Sequence, residues 1–199
     1  MGTASDLGEV GSRPPGSIAR AGAGASEDPD RTRGPTPGAD PAELHFTIEN
    51  DPALVPPLVD RLVAAVAGSY PLQEGARLRI ELALHEAMVN GIYHGNLELD
   101  SGCRRDDAAT PGRAAALRRQ RPPYRDRRLH VRSRVAGGSA IFVIRDEGPG
   151  FDPAAVPDPT EPANRSRPCG RGLLLIQSLM DEVSYNAAGN QVTLVKHLR

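Results

Sequence analysis

Leu84-His85-Glu86-Ala87-Met88-Val89-Asn90-Gly91-Ile92-Tyr93-His94-Gly95-Asn96 is the stretch on which the reading of this chain turns. It closes an apolar-periodic segment, residues 74–94, in which Leu78, Leu82, Ala83, Val89 and Ile92 recur at helical spacing and are expected to supply the buried surface. Gly95-Asn96 then reads as the helix stop, as a glycine just past the last periodic residue should. On that helix Glu86 and Asn90 stand four residues apart, about 6 Å along one face. A carboxylate beside a carboxamide can take a proton from a nucleophile and offer oxygen ligands to a hard cation such as Mg2+. Taken alone, the pair reads as a plain polar helix face.

Two further clusters lie downstream. Asp146-Glu147-Gly148-Pro149-Gly150-Phe151 follows directly on the apolar run Ala140 to Arg145. A strand that ends in an aspartate and a Gly-x-Gly turn sets a carboxylate at the sheet edge, able to accept a hydrogen bond from an exocyclic amine such as that of adenine. An ordinary Gly-Pro turn explains the same residues. Gly170-Arg171-Gly172-Leu173 opens a helix that runs on to Met180. Amides at a helix N-terminus favour phosphate, and glycines let it approach. This is not the dinucleotide fingerprint, which follows a strand within a βαβ unit; here a long loop, 148–170, precedes it. A bare loop-to-helix junction is the plain alternative.

The remaining chain sorts around these clusters. Residues 1–42 hold eight glycines and six prolines with almost no large apolar side chains, and are expected to be a disordered tail. The folded unit is expected over 43–199. Leu44 to Ile48 alternates as a strand, and 54–67 is a helix with Pro56 and Pro57 in its first turn. Leu129–Val135 and Ala140–Arg145 form a hairpin about Gly137-Gly138, and Val183–Tyr185 pairs with Val192–Val195 through Gly189-Asn190. Residues 97–128 show no clear period. From Cys103 to Arg134 there are eleven arginines and three aspartates.

Charge and composition exclude several classes. The chain has 199 residues, 24 basic and 25 acidic, and Lys196 is its only lysine. A Walker A loop needs a lysine after its glycines, and the eukaryotic-type kinase set needs one in a V-A-I-K strand. Lys196 sits in neither context. No apolar run reaches the ~20 residues of a membrane span. Residues 1–20 lack the apolar centre of a signal peptide, and Cys103 and Cys169 form no C-x-x-C. No membrane partner is expected, and a cytoplasmic location follows. A zinc protease would need H-E-x-x-H, and Val89 stands where the second histidine belongs.

The three clusters in this order resemble the three motifs of the GHKL superfamily, the Bergerat-fold group of gyrase, the ninety-kilodalton heat-shock chaperone, histidine kinases and mismatch-repair ATPases. Glu86 to Asn90, Asp146-x-Gly148-x-Gly150 and Gly170 to Leu173 match in turn. Residues 84–96, and Leu179-Met180-Asp181-Glu182-Val183 past the third motif, are similar to bacterial anti-sigma regulatory factor serine/threonine kinases. The resemblance covers roughly 43–199 apart from 97–128, which is longer than the usual connection and reads as an arginine-rich insertion.

The resemblance implies an α/β two-layer sandwich with a mixed, mainly antiparallel sheet and helices on one face. It implies ATP and Mg2+ as cofactors. Glu86 would be the general base, Asn90 the Mg2+ ligand, and Asp146 the reader of the adenine amine. Gly148 and Gly150 would shape the base pocket. Residues 151–170 would form a lid, Gly170, Gly172 and Leu173 would line the phosphates, and Arg171 would add charge at the γ-phosphate. It implies serine phosphorylation of an anti-anti-sigma-type protein and binding of a sigma factor, and leaves a homodimer open. The alternative is a non-catalytic, nucleotide-gated binding module. A sensor histidine kinase would need a dimerising helical hairpin upstream, where only the tail and one short helix stand. Nucleic acid is not expected as a partner, because the arginine-rich segment has one aromatic, Tyr124, and no known binding motif.

Overall fold

The computed structural model describes residues 43–99, 111–153 and 171–198, with only the backbone of Pro111 and Arg171. The tail expected to be disordered, both cysteines, Gly170 and most of the expected lid lie outside the described residues. In chain order the elements are β1 (Leu44–Glu49), α1 (Val55–Ser69), α2 (Glu74–Asn90), α3 (Pro111–Arg118), β2 (Arg128–Ala136), β3 (Ser139–Arg145), α4 (Arg171–Leu179), β4 (Glu182–Tyr185) and β5 (Gln191–His197).

The strands form one sheet in the order β1-β2-β3-β5-β4, and every pairing described is antiparallel. Gly137 and Gly138 both take positive φ, as a two-residue hairpin turn requires. Alternate strand residues face one way: Phe46 and Ile48, Leu129 and Val131, Ala140, Phe142 and Ile144, Val192 and Leu194 are all buried. They meet Val55, Leu58, Leu62, Val63 and Val66 of α1 and Ile80, Ala83, Leu84, Ala87 and Met88 of α2. This is the expected two-layer α/β sandwich, its core aliphatic apart from Phe46 and Phe142.

Two expectations about α2 are corrected. Leu78 and Leu82 are 54% and 44% exposed, while Ile80, Leu84 and Met88 are buried. Apolar residues lie on two sides of this helix, so spacing alone supports either stripe. The sheet takes the one that continues into Ile92. Nor does Gly95-Asn96 cap the helix. After Asn90 the helix widens into a π-helical turn, Gly91–Asn96, closed by the Leu97 N–H donating to the Ile92 carbonyl at 2.9 Å. Such a widened turn inside a helix frequently marks a functional site.

In the arginine-rich segment Arg118, Arg119, Arg127 and Arg128 are half-buried, whereas Arg113, Arg121 and Arg125 are exposed. Arg118 donates to the Leu97 and Glu98 carbonyls, each at 2.6 Å. Arg119 forks onto Asp51 at 3.1 and 2.7 Å. The guanidiniums of Arg118 and Arg127 lie 5.4 and 5.3 Å from the centre of the Tyr124 ring. Such stacked, hydrogen-bonded guanidiniums fasten the segment to the turn after α2.

Lys196 is buried on the helix-facing side of β5 with Val192 and Leu194. Its Nζ donates to Asp181 Oδ1 at 2.9 Å and to the Leu179 carbonyl at 3.2 Å. Burial alone would raise the Asp181 carboxyl, but the bonds from Lys196 and the His197 amide outweigh it and hold it below its ordinary range. The single lysine ties the end of α4 to β5.

Candidate functional site

The three sequence clusters converge on one cavity of about 430 Å³ between the end of α2, the start of α4, the end of β3 and the start of β5. Glu86, Asn90, Asp146, Gly150, Gly172 and Leu173 all line it. Gly148 lies behind Asp146 rather than in the wall. Arg171 begins α4, and its side chain, like all of Gly170, is outside the described residues.

Glu86 and Asn90 sit on successive turns of α2, and α4 packs across them. The approach is so close that a Cβ on Gly172 would collide with Glu86 Oε1 and stand 3.0 Å from Asn90 Nδ2. The third cluster therefore needs a glycine here for contact, not for backbone conformation. The result places a carboxylate, a carboxamide and a nine-residue helix's N-terminus within one corner.

Asp146 occupies the opposite wall, on the floor formed by the π turn. A Cβ on Gly95 would meet the Asp146 carboxylate directly, so Gly95 is the surface on which that carboxylate lies. Asp146 Oδ1 accepts the Gly148 N–H at 2.9 Å, and its own N–H donates to the Asn190 carbonyl at 3.0 Å. Oδ2 takes no hydrogen bond from any other described residue. Burial pushes the carboxyl above its usual range, against the pull of the Gly148 amide, its own amide and the charges of Arg127 and Arg145. Gly150, at φ +75°, brings the loop backbone against Ala188. Phe151 meets Tyr185 edge to face, ring centres 5.3 Å apart.

The rest of the wall was not legible beforehand. Ile144, Ile176 and Val192 give it apolar sides, and Tyr185, Gln191 and His94 complete it. His94 is fixed through Nδ1 to the Leu99 carbonyl at 2.6 Å. Ile176 could have been found as the inward position one turn into α4. His94, Tyr185 and Gln191 carry no signal beyond their neighbourhood.

The donor set suits a nucleotide. A cavity of this size is within the ordinary range for small-molecule sites, which pair apolar walls with a few fixed polar groups. Glu86 and Asn90 offer oxygens of the kind Mg2+ takes. Among the described lining residues none is a lysine or arginine. No described helix is long and apolar enough to cross a membrane.

No curated protein matches the chain significantly. The family model of the histidine kinase-like ATPase domain matches residues 48–196, from the end of β1 to Lys196 in β5, and takes in every described wall of the cavity. The antiparallel sheet under one helical layer is consistent with that match, and the chain belongs to the histidine kinase-like ATPase domain family.

Proposed function

We propose that this domain is an ATP-dependent protein serine/threonine kinase of the anti-sigma regulatory type, acting in the cytoplasm. It would phosphorylate an anti-anti-sigma-type protein and bind a sigma factor, and the same fold would serve as a homodimer. The observation that supports it is Glu86 at the corner where α2 meets the α4 N-terminus, beside Asn90 and across the cavity from Asp146. A binding module has no need of a general base at that corner.

In this reading ATP is the substrate. Asp146 accepts a hydrogen bond from the adenine amine, while Ile144, Ile176 and Val192 exclude water from the ring. The triphosphate lies toward the first turn of α4, whose amides point at it. Mg2+ would be held by Asn90, with Glu86 nearby, and would supply charge neutralisation for the phosphates. Glu86 accepts the proton of a serine or threonine hydroxyl as its oxygen bonds to the γ-phosphorus. The bond to the β–γ bridging oxygen breaks, ADP leaves, and phosphoserine or phosphothreonine remains on the partner. General-base assistance of this kind is worth about 10²- to 10⁴-fold in rate.

The test is to incubate the protein with labelled ATP and candidate partner proteins, with a Glu86→Gln variant beside it. Acid-stable label on a partner serine or threonine, lost in the variant, supports the kinase. Capture of a partner without transfer refutes it and leaves a nucleotide-gated binding module.

A further inference from the structure

We propose that Asn96 is a positioning residue for the Asp146 loop, and that the arginine-rich segment acts through it to set which nucleotide base the site accepts. The inference rests on the reading of Asp146 as the group that meets the base.

Asn96 is fully buried at the end of the π turn. Three parts of the chain meet on it. Its Oδ1 accepts the Glu147 N–H at 2.7 Å, one residue from Asp146. Its Nδ2 donates to Asn50 Oδ1 at 2.7 Å, just after β1. Its main-chain carbonyl accepts Arg127 Nη1 at 2.8 Å. The arginine-rich segment reaches the same point a second time, because Asn50 Nδ2 donates to the Tyr124 carbonyl at 2.6 Å.

Arg127 is itself constrained. It pairs with Glu98 at 2.7 Å and lies over the Tyr124 ring. Its side chain is 17% exposed and that of Glu98 35%, so the ion pair is partly shielded from solvent.

The chemistry of the joint selects asparagine. One side chain must accept from Glu147 and donate to Asn50 at once. An ionised aspartate only accepts, and a serine hydroxyl is too short for both. The joint also reaches the carboxylate through a short path. The Asp146–Glu147 peptide is held by Asn96, and the next amide, Gly148, holds Asp146 Oδ1. Gly148 in turn stands against the Gly95 carbonyl, the residue before Asn96, closely enough to leave no room for a Cβ. Freeing the Glu147 amide would let the carboxylate swing off the Gly95 floor. The Asn96 side chain bonds to Glu147 and Asn50, not to the Glu86, Asn90 or α4 residues that line the proposed phosphate end. The loss should therefore fall on base recognition and spare the rest of nucleotide binding.

That separation gives the test. Dissociation constants for ATP and ITP are measured by calorimetry on the full chain, at a pH well above the Asp146 pKa so that its carboxylate stays ionised. ITP keeps the sugar and triphosphate but carries a carbonyl where adenine has its amine. Wild type is expected to prefer ATP. Asn96→Ala should lower the ATP-to-ITP preference about tenfold, the worth of one hydrogen bond to a charged group, with ITP affinity little changed. Arg127→Met, which leaves the buried side chains in place, should lower it in the same direction and decides the matter if Asn96→Ala does not fold. An Asn96 that is only a fold staple weakens both nucleotides together and keeps the ratio. An unchanged ratio in the variants that fold, with wild type preferring ATP, overturns this inference alone. A wild type that binds neither nucleotide, or both equally, overturns the reading of the site as well.

Discussion

Replacing Asp146 by asparagine should weaken ATP binding and, at the same time, make the nucleotide-free protein more stable. The exchange is isosteric, so the contact with Gly95 is kept. Asparagine Oδ1 can go on accepting the Gly148 N–H. The new NH2 then takes the place of Oδ2 and meets the adenine amine donor to donor. The loss is a hydrogen bond to a charged acceptor plus an unpaired donor, about 2–4 kcal/mol, or roughly 30- to 1,000-fold in Kd.

Stability moves the other way. Burial raises the Asp146 carboxyl in the folded state, so the native protein holds that proton more tightly than the unfolded chain does. Below the unfolded pKa, near about 3.9, both states are protonated and the carboxyl costs nothing. As the pH rises through the raised folded value, the ionised group costs stability, and the cost is complete above it. Asparagine removes it. The Tm advantage of Asp146→Asn should thus be small in acid, grow with pH and level off. Calorimetric Kd values and thermal melts across that range check both halves. An asparagine variant that binds ATP as wild type does, or one that melts lower than wild type at neutral pH, would refute the reasoning.

Three other substitutions separate roles around the same cavity. Glu86→Gln should cut phosphoryl transfer about 10²- to 10⁴-fold while the ATP Kd stays near wild type, as read by labelled transfer and calorimetry. Gly172→Ala suits a helix by about 1 kcal/mol, yet its methyl would displace Glu86 and Asn90. An intact circular-dichroism melt with impaired ATP binding is expected, and unimpaired binding would show that the α4 contact can give way. Lys196→Met should lower stability by about 1–3 kcal/mol, the scale of a lost charge-assisted hydrogen bond, with no change in ATP affinity. A folded Lys196→Met protein that no longer bound ATP would place the lysine in the nucleotide site.

Strand and helix positions were legible because alternation and helical period are local signals. All five strands and helices α1, α2 and α4 lie where Phe46, Ile144, Leu194 and their neighbours predict. Helix α3 was not, since Pro111–Arg118 is mostly alanine and arginine and has no apolar stripe. The buried side of α2 was misread because Leu78-Leu82 and Ile80-Leu84 are equally good stripes until a sheet chooses between them. The site was legible as residue types but not as a joint. Glu86, Asp146 and Gly172 stand out by their motifs, whereas Asn96 looks like a helix stop. Its three partners, at positions 50, 127 and 147, come together only through the fold. Lys196 did leave a trace: it shares strand parity with Val192 and Leu194, and a lysine on an apolar face calls for a buried acid.

The burial of Lys196 reaches beyond the corner it closes. With no other lysine in the chain, the positive charge on the folded surface is carried by guanidinium groups, which stay protonated at any physiological pH. Lysine acetylation or ubiquitination has no side-chain target here unless the Asp181 pair is first broken. Amine-reactive dyes and cross-linkers aimed at lysine would report local opening of β5 rather than surface accessibility. The chain thus contains a built-in probe of its own C-terminal hairpin, read by mass spectrometry at one residue.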